Sequence, residues 1–168
     1  MNLLVLSLSH FFHLLATVIW IGGIFMVLLV ILPGAKTSLE SPPVTGKLIK
    51  EITRRLTPMV NISILVLIIT GPIIGHLGKN MTNPLQFYNH WTPIMGVKHL
   101  LVLSMVVIHF YRGWSLNPKI EKLSVQAGGT PSLSSQVARL QKLSLNLVKA
   151  NFALGLAVLL ITGVLMSK

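Results

Sequence analysis

Six histidines stand in or beside apolar runs of this 168-residue chain: His10, His13, His76, His90, His99 and His109. An imidazole inside a bilayer is costly unless something binds it, so each intramembrane histidine is a candidate functional group. Its ring nitrogens are good ligands for iron and copper. Laid out along the expected helices, His10, His13, His76, His90 and His99 fall in, or just above, the outer half of a helical bundle. His109 comes ten residues after His99, roughly 15 Å deeper along a helix axis. Haem iron in a bundle takes imidazoles from facing helices, one on each side of the porphyrin. His13 and His99 have the depth for such a pair, and His76 would replace either or serve a second haem. His10 and His109 complete the set of candidate metal ligands, while His90 falls in a polar connection. For His13 the plain alternative is a hydrogen bond to a neighbouring helix; for His10 and His76 it is a place at the headgroup level, and for His109, near Tyr111 and Arg112, the inner interface.

Other residue types bear on the same chemistry. Lys98, beside His99, is the one charge expected within the outer half of a span. It either snorkels to the interface or pairs with an anion such as a haem propionate. Trp20 lies seven positions after His13 and shares its helix stripe, where it packs in the core or against a cofactor ring. Gly22, Gly23, Gly71, Gly75 and Gly96 let helices approach closely or leave room for a flat macrocycle. The chain has no cysteine, which excludes disulfides, thiolate zinc, iron–sulfur clusters and covalent haem attachment. Soft ligands for copper are then limited to methionine, and only Met81 and Met95 lie near the outer histidines.

The elements that must position these groups follow from hydropathy. Half the residues are hydrophobic (52%), and the only acids are Glu40, Glu51 and Glu121. Four apolar stretches reach the roughly 20 residues needed to cross a bilayer: near 3–32, 58–77, 94–111 and 145–166. The first lacks the basic start of a signal peptide and is too long for its apolar core, so it reads as a retained span. The expected fold is all-α: a single transmembrane domain over 1–168, a four-helix bundle running up-down-up-down. The formal charge of +11 lies mostly in the connections, so it speaks for topology and anionic lipid rather than nucleic acid.

Lys36, Lys47, Lys50, Arg54 and Arg55 follow the first span, and Arg112, Lys119, Lys122, Arg139 and Lys142 follow the third. The connection after the second holds only Lys79. By the positive-inside rule the two basic connections are cytoplasmic, both termini face outward, and the setting is a bacterial-type plasma membrane. Each basic connection contains an amphipathic stretch, with Leu48, Ile52 and Leu56 in one and Leu133, Val137 and Leu140 in the other. These suit helices lying on the cytoplasmic interface or extending a span outward. Ile69-Thr70-Gly71 recurs as Ile161-Thr162-Gly163, which suggests two similar helix pairs.

The stretch from His10 through His13 and Trp20 to Gly22-Gly23 resembles the first helix of CopD-like membrane proteins. It is also similar to that of HemJ-type protoporphyrinogen oxidases. The Leu67–Gly71 stretch resembles their second-helix motif, and Gly96-Val97-Lys98-His99 their third-helix start. The resemblance implies a four-helix bundle with b-type haem or copper chemistry, in which His13 and Lys98 would be the functional pair. The chain departs from the HemJ pattern after Gly23, where Ile24-Phe25-Met26 stands. Four functions are therefore expected to compete. The first is a b-type haem electron-transfer subunit, holding one or two haems and serving membrane or periplasmic redox partners or quinone. The others are CopD-type copper transport, HemJ-type porphyrinogen oxidation and a cofactor-free structural bundle.

Overall fold

A computed structural model describes residues 2–39, 41–77, 93–126 and 131–166. All of these except Leu39 and Ser41 are helical, and no strand occurs among the described residues. Four helical stretches are long and apolar enough to cross a membrane: Leu3–Ser38, Val44–Gly75, Ile94–Gln126 and Pro131–Leu165. Their outer faces are greasy: Leu3, Leu4 and Val18 are 77%, 68% and 66% exposed, and Leu160 is 73% exposed. Such stripes suit hydrocarbon and not water, and helices satisfy every backbone group within the segment, as lipid requires. The four helices are compatible with a bilayer and consistent with a multi-pass membrane protein.

Two compact units divide the chain, Met1–Thr92 and Pro93–Lys168. In the first unit, α1 (Asn2–Thr17), α2 (Gly23–Phe25) and α3 (Leu32–Ser38) follow one another with π-helical turns at Val18–Gly22 and Met26–Ile31. The Thr17 hydroxyl donates to the His13 carbonyl at 2.8 Å. That back-bond competes with the regular ladder where the helix widens. A second helix, α4 (Pro42–Leu77), runs unbroken for 36 residues, or about 54 Å against a hydrocarbon thickness of about 30 Å. The basic stretch 47–55 and the apolar span thus share one rod. Pro58 and Pro72 lie inside it, and the amphipathic stretch extends the apolar run that starts near Pro58.

Packing in this unit follows helical spacing. Ser9, Ala16 and Trp20 are buried on α1 and the turn after it, with His13 half-buried on the same stripe. On α4 the buried residues are Val60, Ser63, Ile64 and Thr70. His13 meets Thr70 and Gly23 faces Leu56, so the two helices run antiparallel. A methyl group on Gly23 would stand 4.0 Å from the Leu56 Cδ2 atom, and one on Gly71 would stand 3.8 Å from His13 Cε1. Both are ordinary contacts. Gly23→Ala is therefore expected to stabilise by up to about 1 kcal/mol through helix propensity. Gly23→Leu overpacks the seam and costs about 1–3 kcal/mol. Thermal unfolding in detergent reads the opposite signs.

In the second unit, α5 (Pro93–Tyr111) passes through a π-helical turn, Arg112–Leu116, into α6 (Asn117–Gln126), and α7 (Pro131–Met166) packs along both. Met105 on α5, at 1% exposed, is the most buried large side chain here. A buried stripe on α7 runs through Val137, Asn151, Gly155 and Val158. This helix also carries a basic segment and a span in one piece. Thr70 and Thr162, from the repeated Ile-Thr-Gly, both donate at 2.7 Å to the carbonyl four residues back. Thr70 is buried and Thr162 only half-buried, so the two do not play the same part.

Candidate functional site

The most constructed histidine is His13. Its Nδ1 lies 2.9 Å from the Thr70 Oγ1. The Thr70 hydroxyl hydrogen is already given to the Val66 carbonyl, at 2.7 Å. Thr70 can then only accept from the ring, so Nδ1 of His13 carries the proton and Nε2 carries the lone pair. This bond joins residues 57 positions apart. It also does what an outer-shell partner of a metal-bound histidine does: it sets the tautomer and the ring plane.

His10 and His99 adopt the same tautomer by a local route. The Nδ1 of His10 donates to the Leu6 carbonyl at 2.9 Å, and that of His99 to the Met95 carbonyl at 2.7 Å. A carbonyl can only accept, so in the neutral ring Nε2 again has the lone pair. His99 is exposed and His10 half-buried. His109 is half-buried on the last turn of α5, its ring edge-on to Phe110 with centroids 5.4 Å apart. Lys98 is half-buried on α5. The side chain of His76, and the whole connection with Lys79, Met81, His90 and Trp91, lie outside the described residues.

The expected gathering of histidines at one level involves His76 and His90, whose side chains lie outside the described residues. Among the described residues no three His, Cys, Asp or Glu side chains come together as a metal-holding group. His10 and His13 sit on the same helix, three residues apart, so they project from one side of it. Two such rings cannot grip one iron from opposite faces. His99 and His109 belong to the other unit. What the described residues offer is a single imidazole positioned by a hydroxyl on a facing helix. The donor chemistry of His13 would fit a haem or other metal as one ligand, and His10 and His13 would not fit as a pair on opposite faces of one iron.

Trp20 shares the His13 stripe as expected, and it is 2% exposed. Its indole Nε1 is buried with no hydrogen-bond partner among the described residues. It stands in the π-helical turn Val18–Gly22, a distortion that often marks functional positions. Sequence reasoning missed three further polar groups. Thr70 was visible only as part of a repeated tripeptide. Asn151 is 3% exposed, and its Oδ1 has no partner among the described residues. Arg112 donates from Nε to the Ser144 Oγ at 3.2 Å. The available signal was a polar residue at a core position of an otherwise apolar run.

Comparison with known proteins supplies no identification: no family model, curated protein or solved structure matches the chain.

Proposed function

We propose that this chain is a b-type haem-binding integral membrane protein, with His13 as an axial ligand, serving as an electron-transfer subunit of a redox membrane complex. One observation carries the reading: an imidazole inside the first span is held through Nδ1 by Thr70 of the second. That arrangement fixes the tautomer in which Nε2 would be the ligating nitrogen, and a ring fixed from a second helix loses little freedom on ligation. In this reading the spans run up-down-up-down in a bacterial-type inner membrane. Both termini face outward, and the amphipathic basic stretches lie at the cytoplasmic surface.

Bound haem would supply a redox-active iron. His13 would supply the axial nitrogen, Thr70 would keep the ring's tautomer, and the aliphatic residues around them would exclude water. Trp20, with a buried and unsatisfied N–H on the same stripe, is suited to donate to a polar edge of the cofactor. The resemblance of the His10–Gly23 stretch to haem- and copper-associated membrane proteins supports the same chemistry.

The test is a visible absorption spectrum of the purified full chain, oxidised and then reduced, with metal analysis. A sharp reduced band with iron in proportion to protein is the expected result. Copper without iron would replace this reading with copper handling, and a colourless, metal-free protein would overturn it. Thr70→Val removes the acceptor of His13 while keeping the shape. It is expected to weaken haem retention about 10–100-fold, as loss of outer-shell partners does. Haem titration of the stripped protein measures the change, and undiminished affinity would show that Thr70 does not orient the ligand.

A further inference from the structure

We infer that Arg112, Ser144 and Asn117 form a site for the phosphate of an anionic phospholipid headgroup. The site lies wholly within the second unit and does not depend on haem.

Arg112 stands at the start of the π-helical turn between α5 and α6. It is half-buried. Its Nε donates to the Ser144 Oγ on α7 at 3.2 Å, and Ser144 in turn donates to Asn117 Oδ1 at 3.4 Å. This chain of bonds engages both acceptors once and spends the one hydroxyl donor. The donors left over are the rest of the guanidinium fork and the amide N–H groups of Asn117. Arg112 forms no ion pair among the described residues. The sole acid in this unit's sequence, Glu121, is exposed on α6. A partly desolvated guanidinium with no carboxylate partner, beside further donors, is complementary to an anion with several oxygens. Phosphate meets that description and takes the fork bidentately.

Depth selects the source of the phosphate. Arg112 lies 18 residues beyond Ile94, the start of its span. That is about 27 Å of helix, close to the hydrocarbon thickness of about 30 Å. Tyr111 and Trp114 flank it, 49% and 78% exposed, as aromatic residues do at the headgroup level. Phe110 and Trp114 pack together, with centroids 4.9 Å apart, and give the site an apolar shoulder for acyl chains. The guanidinium is therefore set where lipid phosphates lie.

The experiment places the full chain in phosphatidylcholine nanodiscs containing a minor share of phosphatidylglycerol. Native mass spectrometry then counts the lipids retained after transfer to detergent. The wild type is expected to keep phosphatidylglycerol in preference to phosphatidylcholine. Arg112→Gln is expected to lower that retention about tenfold, the size of one lost charge-assisted hydrogen bond. Ser144→Ala keeps the charge and removes its anchor, so it should lose less and also covers the case in which Arg112→Gln misfolds. Lys142→Gln removes an exposed charge from the same helix and should change nothing. Equal loss in Lys142→Gln and Arg112→Gln would reduce the effect to general surface charge and overturn the site, as would undiminished retention in both Arg112→Gln and Ser144→Ala. Excess inorganic phosphate separates the sources. Lipid retention that survives it assigns the headgroup, whereas displacement by retained inorganic phosphate reassigns the site to a free anion and overturns the lipid assignment.

Discussion

Replacing His13 with alanine is expected to remove haem from the purified protein while the helices still insert. The two effects separate because they rest on different terms. Insertion follows the apolar length of the first span, Leu3–Ser38, and alanine is a better helix former than histidine by roughly 0.5 kcal/mol. The helix pair loses one hydrogen bond, worth about 1 kcal/mol. Thr70 is not left with an orphaned donor, since its hydroxyl already bonds the Val66 carbonyl. The proposed haem, in contrast, would lose the one described imidazole that is held from a facing helix. His10→Ala is the matched control: the same residue type is removed one turn away, with no cross-helix partner, and it should retain haem. The ratio of Soret absorbance to protein, with circular dichroism for helix content, measures both variants. A His13→Ala protein as red as the wild type would end the assignment of His13.

Which parts were legible in the sequence follows from what each depends on. The four spans come from summed hydropathy, which needs no knowledge of contacts, and all four are present. Their ends were less legible. Whether the amphipathic stretch before Pro58 forms a separate interfacial helix or extends the span was left open, and helix α4 runs from Pro42 without a break because proline costs a helix one ladder bond without always ending it. The π-helical turns depend on a one-residue change of ladder around Thr17 and Arg112, below what a hydrophobic period resolves. Among the histidines, depth along each helix was readable and partnership was not. Depth matched His13 with His99 or His76 as haem ligands, but depth gave no sign of the hydrogen bond that its Nδ1 makes to a threonine 57 residues away. That choice is made by the register of two antiparallel helices. Polar residues with buried oxygen atoms, such as Thr70 and Asn151, give little signal in a hydropathy average dominated by leucine and isoleucine.

Asn151→Ala is expected to raise the stability of the protein, an outcome opposite to the usual result of cutting a core residue. The buried Oδ1 of Asn151 has no partner among the described residues, and an unmet acceptor in the interior costs about 1–3 kcal/mol. Alanine removes that cost and adds roughly 0.6 kcal/mol of helix propensity. Against these stands the cavity left by the amide. At about 24 cal/mol per Å³ it stays below 1 kcal/mol for any void under about 40 Å³. Leucine is the poorer replacement. Asn151 lies seven residues beyond Ser144 and Met105 seven before Arg112, the pair that bonds across the helices. The antiparallel course thus brings Asn151 level with Met105, at 1% exposed, and added bulk would strain that contact. Thermal unfolding in detergent, followed by tryptophan fluorescence, should show a higher midpoint for Asn151→Ala than for the wild type. A lower midpoint would mean that the amide oxygen is satisfied in the working protein, by a bound molecule or a buried water.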